Sequence, residues 1–213
     1  MIEDIDLEKL CSAESLVSIV YWLTIGDGNI DIPGTCLNGR FQVIHSAGHM
    51  DYIKMKATFL RRITGVDYKE RMHKGNQKPE LQLWTKTHPV FTKLRRRIYL
   101  DGRKVLSDHG LKMLSPICLA FLYQDDGRFN PAKSTISINK PMLSEMELKA
   151  LAKVIVDKYG VIFRVRRSCT LKDGSIGHEL GLRYSDKDKF FNLIEPYIVP
   201  SMRYKITTGG SSK

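Results

Sequence analysis

Two aspartates, Asp27 and Asp126, stand at the ends of similar apolar segments. Residues 20–28 are VYWLTIGDG, and residues 119–127 are LAFLYQDDG. If both segments form helices that pack side by side, the carboxylates and the unpaired carbonyls at their C-terminal ends converge. Such oxygens are the ligands that Mg²⁺ prefers, and a pair of metal ions suits the hydrolysis of phosphodiester bonds. We therefore expect divalent cations at this point, whereas one Asp-Gly pair alone would indicate only a turn after a helix.

Other matching features indicate two similar repeats. Asp27 and Asp126 are 99 positions apart, and residues 81–83 match residues 180–182 at the same spacing. Lys104 and Lys205 match at a spacing of 101. A nearly constant spacing across separate features predicts an N-terminal repeat of residues 1–105 and a C-terminal repeat of residues 106–213.

Each repeat has the pattern of helix, two strands, helix, two strands, helix, which predicts an α+β fold with two four-stranded antiparallel sheets. Ser115-Pro116 is a helix start, and Ser144 with Glu147 forms a capping box for a helix that stops at Gly160. The matching helix of the first repeat spans about residues 51–64. Strands are expected at residues 40–44, 66–73, 81–86, 135–139, 163–166 and 176–184.

Composition narrows the class of protein and of partner. The 213 residues carry 34 Lys and Arg against 23 Asp and Glu, a net charge of +11, which favours a polyanion such as nucleic acid. The excess divides into +5 for residues 1–105 (17 − 12) and +6 for residues 106–213 (17 − 11). The acidic N-terminus, the four dispersed cysteines and the lack of a long apolar run predict an intracellular, non-secreted protein without a membrane anchor.

The two motifs and their context resemble those of LAGLIDADG homing endonucleases, in particular the monomeric two-repeat subgroup typified by the mitochondrial omega-intron endonuclease. The resemblance extends from about Ser15 to Ile206 and includes Leu114-Ser115-Pro116 before the second motif. Residues 190–205 resemble the C-terminal block of that subgroup. The sequence departs from the namesake motif at Trp22 and Phe121, which replace a small glycine.

The resemblance implies two αββαββα units related by a pseudo-twofold axis, packed through the motif helices, with their sheets forming a saddle over the major groove of DNA. It implies a monomer that makes a double-strand break with short 3′ overhangs in a long asymmetric target. Asp27 and Asp126 correspond to the metal-binding catalytic acids, with the carbonyls of Gly26 and Asp125 as further ligands. The Asp125 carboxylate adds an acid beside only one site, which predicts unequal cleavage rates.

The resemblance also implies roles for the two lysines and for the metal. Lys104 and Lys205 correspond to basic residues that orient solvent and stabilise charge on the scissile phosphate. Two or three Mg²⁺ ions are expected, with Mn²⁺ as a substitute and Ca²⁺ supporting binding only.

Alternate residues of a strand share one face, so the polar face of each sheet is expected to contact DNA. Arg, Gln and Asn can make paired hydrogen bonds to base edges. The candidates are Arg40, Gln42, Lys69, Arg71, His73, Gln82, Trp84, Lys86, Thr135, Ser137, Asn139, Arg164, Arg166, His178 and Arg183. The alternative is that these residues form only the solvated face of the sheets.

Three functions are compatible with these features. The first is a site-specific DNA homing endonuclease; the second is an intron RNA maturase that binds its host intron on the same scaffold; the third is a non-catalytic DNA-binding regulator. The presence of both Asp27 and Asp126 favours cleavage.

His45 and His49 lie four positions apart on a strand and loop, which disfavours zinc binding. The start at Met1 and the lack of a terminal His-Asn pair favour an intron-encoded or free-standing protein over an intein.

Overall fold

The computed structural model describes residues 13–72 and 79–207, and in these the two-repeat pattern is confirmed. The first repeat contains, in chain order, α1 (Ala13–Ile25), β1 (Asn29–Asp31), β2 (Arg40–Ser46), α2 (Met50–Leu60), β3 (Val66–Met72), β4 (Pro79–Thr85), α3 (Pro89–Ile98), β5 (Tyr99–Leu100) and β6 (Arg103–Lys104). The second contains α4 (Asp108–Lys112), α5 (Pro116–Asp126), β7 (Gly127–Asn130), β8 (Thr135–Asn139), α6 (Glu145–Tyr159), β9 (Phe163–Thr170), β10 (Ile176–Leu182) and α7 (Lys187–Ile194). A 3-10 helix, Pro200–Lys205, follows.

The two large sheets have the same topology. Their strand orders are β1-β2-β4-β3 and β7-β8-β10-β9, and all pairings are antiparallel. The short strands β1 and β7 and the β5–β6 hairpin were not assigned from the sequence, because two to four residues give too short a pattern. The helices cover one face of each sheet, where Phe41, Val43, Ile136 and Ile138 are buried as alternation predicts.

The helix boundaries follow their local signals. Ser144 accepts from the backbone N–H of Glu147, whose side chain accepts from Ser144 in return, so the capping box is confirmed. Gly160 ends α6 with φ of 62°, in the left-handed region that favours glycine. Pro116 begins α5 as expected, and the Ser115 hydroxyl bonds to Cys118 Sγ instead of capping the helix.

The repeats are not related by one constant spacing. Val43 of β2 pairs with Leu83, and its counterpart Ile138 of β8 pairs with Leu180, so these two leucines are equivalent at a spacing of 97. The expected match of residues 81–83 with 180–182 is therefore wrong by two residues. The connection between the first two strands has eight residues (32–39) in the first repeat and four (131–134) in the second, which lowers the spacing to 95 at Val43 and Ile138. The segment from there to the paired leucine is two residues longer in the second repeat, so the spacing at Leu83 and Leu180 is 97.

The core is continuous between the repeats and centres on α1 and α5. Trp22 and Phe121, which stand where the family motif has a small residue, are both completely buried. Ser18 of α1 donates to the carbonyl of Met113, and its hydroxyl lies 3.3 Å from Cys118 Sγ of α5. The two motif helices thus form one buried interface that fixes the positions of their C-terminal ends. Among the described residues, no helix has the length and apolar character needed to cross a bilayer.

Candidate active site

The glycines of the two motifs permit close packing at the helix ends. A Cβ on Gly28 would lie 2.4 Å from the Phe41 ring, and one on Gly127 would lie 2.2 Å from the Tyr123 ring. Gly127 ends α5 with φ of −76°, in an extended conformation. Because a strand follows soon after each of the two helices, the helix ends remain next to each other and next to the sheets.

The Asp125 carboxylate joins the two motifs beneath this surface. Its Oδ2 accepts a hydrogen bond from the backbone N–H of Asp27 at 3.0 Å, and a Cβ on Gly26 would lie 2.1 Å from the same oxygen. Gly26 is the counterpart of Asp125 at the spacing of 99, so there is room for a carboxylate from only one of the two motifs.

Three buried side chains of the first repeat complete this network. Tyr52 OH and Lys56 Nζ each donate to Asp125 Oδ1 at 2.8 Å, and Lys56 Nζ also lies 2.8 Å from His45 Nε2. Lys56 and the Asp125 side chain are completely buried. Burial alone would raise the pKa of Asp125, but the positive charge of Lys56 holds it at about 2. Asp125 therefore carries a negative charge at neutral pH that Lys56 balances.

Asp27 and Asp126 lie in two separate recesses on either side of this network. The Asp27 recess is lined by His45, His49, Asp125 and Lys205, and has a volume of about 340 Å³. The Asp126 recess, of about 400 Å³, is lined by Asn29, Lys104, Asn139 and Lys140, among others. The structure thus brings one expected catalytic acid and one expected lysine into each recess.

The two lysines contact the helix ends in matching ways. Lys104 Nζ donates to the carbonyls of Gly26 at 3.0 Å and Gly28 at 2.8 Å. Lys205 Nζ donates to the carbonyls of Gln124 at 2.6 Å and, more weakly, Asp125 at 3.4 Å. The Gly26 and Asp125 carbonyls expected as metal ligands thus already accept hydrogen bonds from the lysines. Of these carbonyls only those of Gly26 and Asp125 correspond at the spacing of 99, so the equivalence of the two lysines stays a prediction.

Burial shifts the pKa values of the aspartates and lysines in both recesses. It raises the pKa of Asp126 to about 7 in spite of Lys140, and it raises the pKa of Asp27, to which the negative charge of Asp125 adds. Burial, with the charge of Lys140, lowers the pKa of Lys104 to about 8, and burial also lowers that of Lys205. Asp126 and Lys104, whose pKa values lie near neutral pH, are suited to exchanging protons in the Asp126 recess.

The donor set fits a divalent cation of the hard type. Oxygen or nitrogen atoms of Asp27, His45 and Asp125 lie within 4.8 Å of one another. Within this group only the Asp27 side chain is open to solvent, with 43% of its surface exposed. Because Asp125 is paired with Lys56, Asp27 is the ligand of this group that is available to a cation, and Asp126 is its counterpart in the other recess.

The sequence did not identify His45, Tyr52 and Lys56 as part of the site. A signal was present for Lys56: Ile53, Lys56 and Leu60 recur at helical spacing on the buried face of α2, and a lysine in such a stripe needs a charged partner. Burial, and next the charge of Lys56, lowers the pKa of His45 to about 3, so this imidazole is neutral at physiological pH.

The polar face of the first sheet brings together the expected DNA-contacting residues of the first repeat that the structure describes. Gln42 pairs with Trp84, Lys69 with Gln82 and Arg71 with Glu80, so these side chains share one face. Arg40 and Lys86 continue the alternation on the same face; Arg40 forms an ion pair with Asp31 at 3.2 Å, and Lys86 is exposed. Lys69 lies over the Trp84 ring. His73 lies outside the described residues.

The second sheet has a similar polar face, with two differences from expectation. Glu179 pairs with Asn139 on one side and with Arg166 on the other, and Gly181 pairs in the same way with Ser137 and Arg164. These side chains therefore share one face of the sheet, and Thr135 continues the alternation along β8. Ser137 is nevertheless buried. His178 is the neighbour of Glu179 in the strand and so points to the opposite face, where it lies 3.8 Å from Glu145 of α6; its expected position on the DNA-facing surface is wrong. Arg183 follows the strand and pairs with Asp186 at 2.7 Å.

Comparison with known proteins agrees with this geometry. The model of the LAGLIDADG DNA endonuclease family matches residues 17–180. The chain belongs to this family. Members use divalent metal ions. A solved structure of the homing endonuclease I-WcaI bound to its DNA recognition sequence superimposes with a TM-score of 0.76 at 19% identity, over 96% of this chain and 92% of that one. The two-repeat LAGLIDADG fold is thereby confirmed.

Two relatives illustrate the range of proteins that contain similar sequences. The DNA endonuclease I-ChuI of Chlamydomonas applanata is 24% identical over 90% of this chain and 94% of its own length. A protein RecA of Mycolicibacterium flavescens is 31% identical over 88% of this chain. The chain spans about half the length of such RecA relatives, 45% in this case.

Proposed function

We propose that this protein is a site-specific, metal-dependent DNA homing endonuclease that makes a double-strand break with short 3′ overhangs in a long asymmetric target. The observation that carries the proposal is the pair of recesses at the joined ends of α1 and α5, each with one catalytic aspartate and one lysine. Two such centres, related by the symmetry of the repeats, suit the two strands of a duplex. The boundary between the repeats near residue 105 belongs to the same proposal.

In this proposal Asp27 and Asp126 hold divalent ions, with Mg²⁺ as the physiological choice and Mn²⁺ as a substitute. Bound ions would activate water and stabilise the negative charge of the leaving oxygen. Lys205 in the Asp27 recess and Lys104 in the Asp126 recess stabilise negative charge on the scissile phosphate. Their attachment to the helix-end carbonyls fixes the position of each ammonium group.

The polar faces of the two sheets form the DNA-binding surface in this proposal. Arg40, Gln42, Lys69 and Gln82 in the first repeat and Asn139, Arg164 and Arg166 in the second form the proposed contact surface. Arginine and glutamine there can contact base edges directly, while the lysines contact phosphates. The two repeats carry nearly equal positive charge, which suits a single chain that binds both halves of one duplex.

Relatives with a stated activity favour cleavage over the maturase and regulator alternatives. I-ChuI is a DNA endonuclease, and a protein of Wickerhamomyces canadensis, 24% identical over 141 residues, is a probable intron-encoded endonuclease. Both acids and both lysines of the proposed centres are present in this chain, and a purely RNA-binding role requires none of them.

Digestion of a randomised double-stranded DNA library tests the proposal. With Mg²⁺ we expect cut ends that share one long preferred sequence and a short 3′ overhang of constant length; with Ca²⁺ we expect binding without efficient cutting. The matched control is Asp157→Asn, which changes an exposed aspartate of α6 and should cut normally. Failure of the wild type to cut any sequence, or equal cutting by an Asp27→Asn and Asp126→Asn double variant, would contradict the proposal.

A further inference from the structure

Equivalent positions, one near the end of β2 and one directly after β8, face the aspartates of the two repeats but carry different side chains. Asn29 pairs with Gln42, and its counterpart Arg128 pairs with Ser137, so Gln42 and Ser137 are equivalent. Three residues further along the chain, these strands lead to His45 and Lys140. The two residues are therefore counterparts, and each points to the aspartate of its own repeat.

Lys140 forms a direct ion pair with the Asp126 carboxylate. Its Nζ lies 2.6 Å from Asp126 Oδ2, and both side chains are largely buried, with 12% and 15% of their surfaces exposed. A cation that binds the Asp126 carboxylate comes close to the ammonium group that contacts this oxygen. Because like charges repel strongly at such distances, Lys140 has to move away before a divalent ion can enter.

His45 leaves the Asp27 carboxylate free. Its Nε2 accepts from Lys56 Nζ at 2.8 Å, because an ammonium group can only donate. In a neutral imidazole the proton then resides on Nδ1, which faces Asp27 Oδ2 at 3.9 Å. Nδ1 is therefore a weakly engaged donor and no metal ligand, and it adds no positive charge to the recess. Lys56 in turn is held in place by Asp125.

We propose that positions 45 and 140 make the two centres unequal toward divalent ions: the Asp27 centre loads first, and Lys140 delays loading of the Asp126 centre. This inference rests on the proposed function, because it takes both acids as metal sites. Its consequence is an ordered reaction in which the strand served by Asp27 is cut first and a nicked duplex accumulates. The asymmetry arises from the residue type at this one pair of equivalent positions.

Calorimetric titration of the full chain with Ca²⁺ alone tests the loading order without requiring cleavage. We expect one tighter ion in the wild type, which Asp27→Asn removes and Asp126→Asn leaves in place. Lys140→Met should strengthen binding at the second centre about tenfold or more, because it removes a repelling charge in contact with Asp126. The control Lys153→Met, on the exposed side of α6, should leave both affinities unchanged.

Three outcomes would overturn the inference. They are loss of the tighter ion in Asp126→Asn, absence of a tighter ion at Asp27, and unchanged second-centre affinity in Lys140→Met. Thermal unfolding of Lys140→Met shows whether the variant is folded, and Lys140→Arg, which keeps the charge, should bind as the wild type does. Failure of the proposed function gives a different result: ordered ion binding without cleavage of any DNA would refute the nuclease and leave the loading order of the two centres intact.

Discussion

Replacing Lys56 by methionine should destabilise the protein more than any exposed lysine change. Lys56 is completely buried, and its ammonium group donates to Asp125 and His45 at 2.8 Å. Among the described residues, the buried Asp125 carboxylate then keeps hydrogen bonds from the hydroxyl of Tyr52 and the N–H of Asp27, with His45 Nε2 at 3.8 Å. Removing one partner of a buried pair costs about 3–5 kcal/mol, because the remaining charge is uncompensated. Lys153→Met, in an exposed pair, should cost at most about 1 kcal/mol.

Urea unfolding of a double-mutant cycle measures this effect. Lys56→Met and Asp125→Asn should each destabilise the protein, and the combined variant should be more stable than the sum predicts, with a coupling of roughly 1–3 kcal/mol. The far-UV circular dichroism signal reports the transition. Additive losses, or a loss in Lys56→Met no larger than that of Lys153→Met, would refute the account of Asp125 as a charge balanced by Lys56.

The pH dependence of the same variants gives the sign of the effect. In the wild type the pKa of Asp125 lies below its unfolded value, so its contribution to stability is present above about pH 4 and is lost as the pH falls toward 2. From a pKa of about 2 against 3.8, this contribution is about 2 kcal/mol. In Lys56→Met burial raises the pKa instead, so stability should fall as the pH rises. Comparison with Asp125→Asn at each pH isolates this carboxylate, and parallel curves for all variants would contradict the reasoning.

Three further predictions concern the helix ends and the DNA-facing surface. Gly26→Ala should lower the free energy of unfolding by about 1–3 kcal/mol in a denaturation experiment, because its Cβ would lie 2.1 Å from a carboxylate oxygen. The control Gly48→Ala, with no neighbour closer than 4.0 Å, should be nearly neutral. Equal effects of the two changes would count against the packing argument. Lys104→Met and Lys205→Met should each slow single-turnover cleavage by about 100-fold with DNA affinity nearly unchanged in gel-shift assays, and normal rates would remove the lysines from the mechanism. Gln82→Ala should relax the sequence preference at one or two positions of a selected library and cost about 1–3 kcal/mol of discrimination; a uniform loss of affinity would assign Gln82 to phosphate contact instead.

The sequence was sufficient for the features that depend on local pattern. The apolar runs before Asp27 and Asp126 predicted the two central helices, and the capping box at Ser144 with Gly160 predicted α6 nearly to the residue. Alternation along β2 and β8 predicted which side chains are buried. These signals succeed because capping, helical periodicity and strand alternation act within a few residues.

The buried network could not be predicted, because it depends on contacts between distant segments. Asp125 and Lys56 are 69 positions apart and meet only after α2 packs against α5. The unequal loop lengths of the two repeats shifted the register, which concealed the equivalence of His45 and Lys140. Motif spacing therefore located the two acids, while the charges that distinguish their surroundings required the packed structure.

Strand-specific cleavage of the selected target by the two single aspartate variants tests the central claim most directly. Asp27→Asn and Asp126→Asn, assayed with Mg²⁺ on a duplex labelled differently on each strand, should nick opposite strands and make no double-strand breaks, because each acid serves one strand. An inactive enzyme that still binds the target would also agree with this assignment. Double-strand breaks at the wild-type rate by either variant, or nicking of the same strand by both, would contradict it.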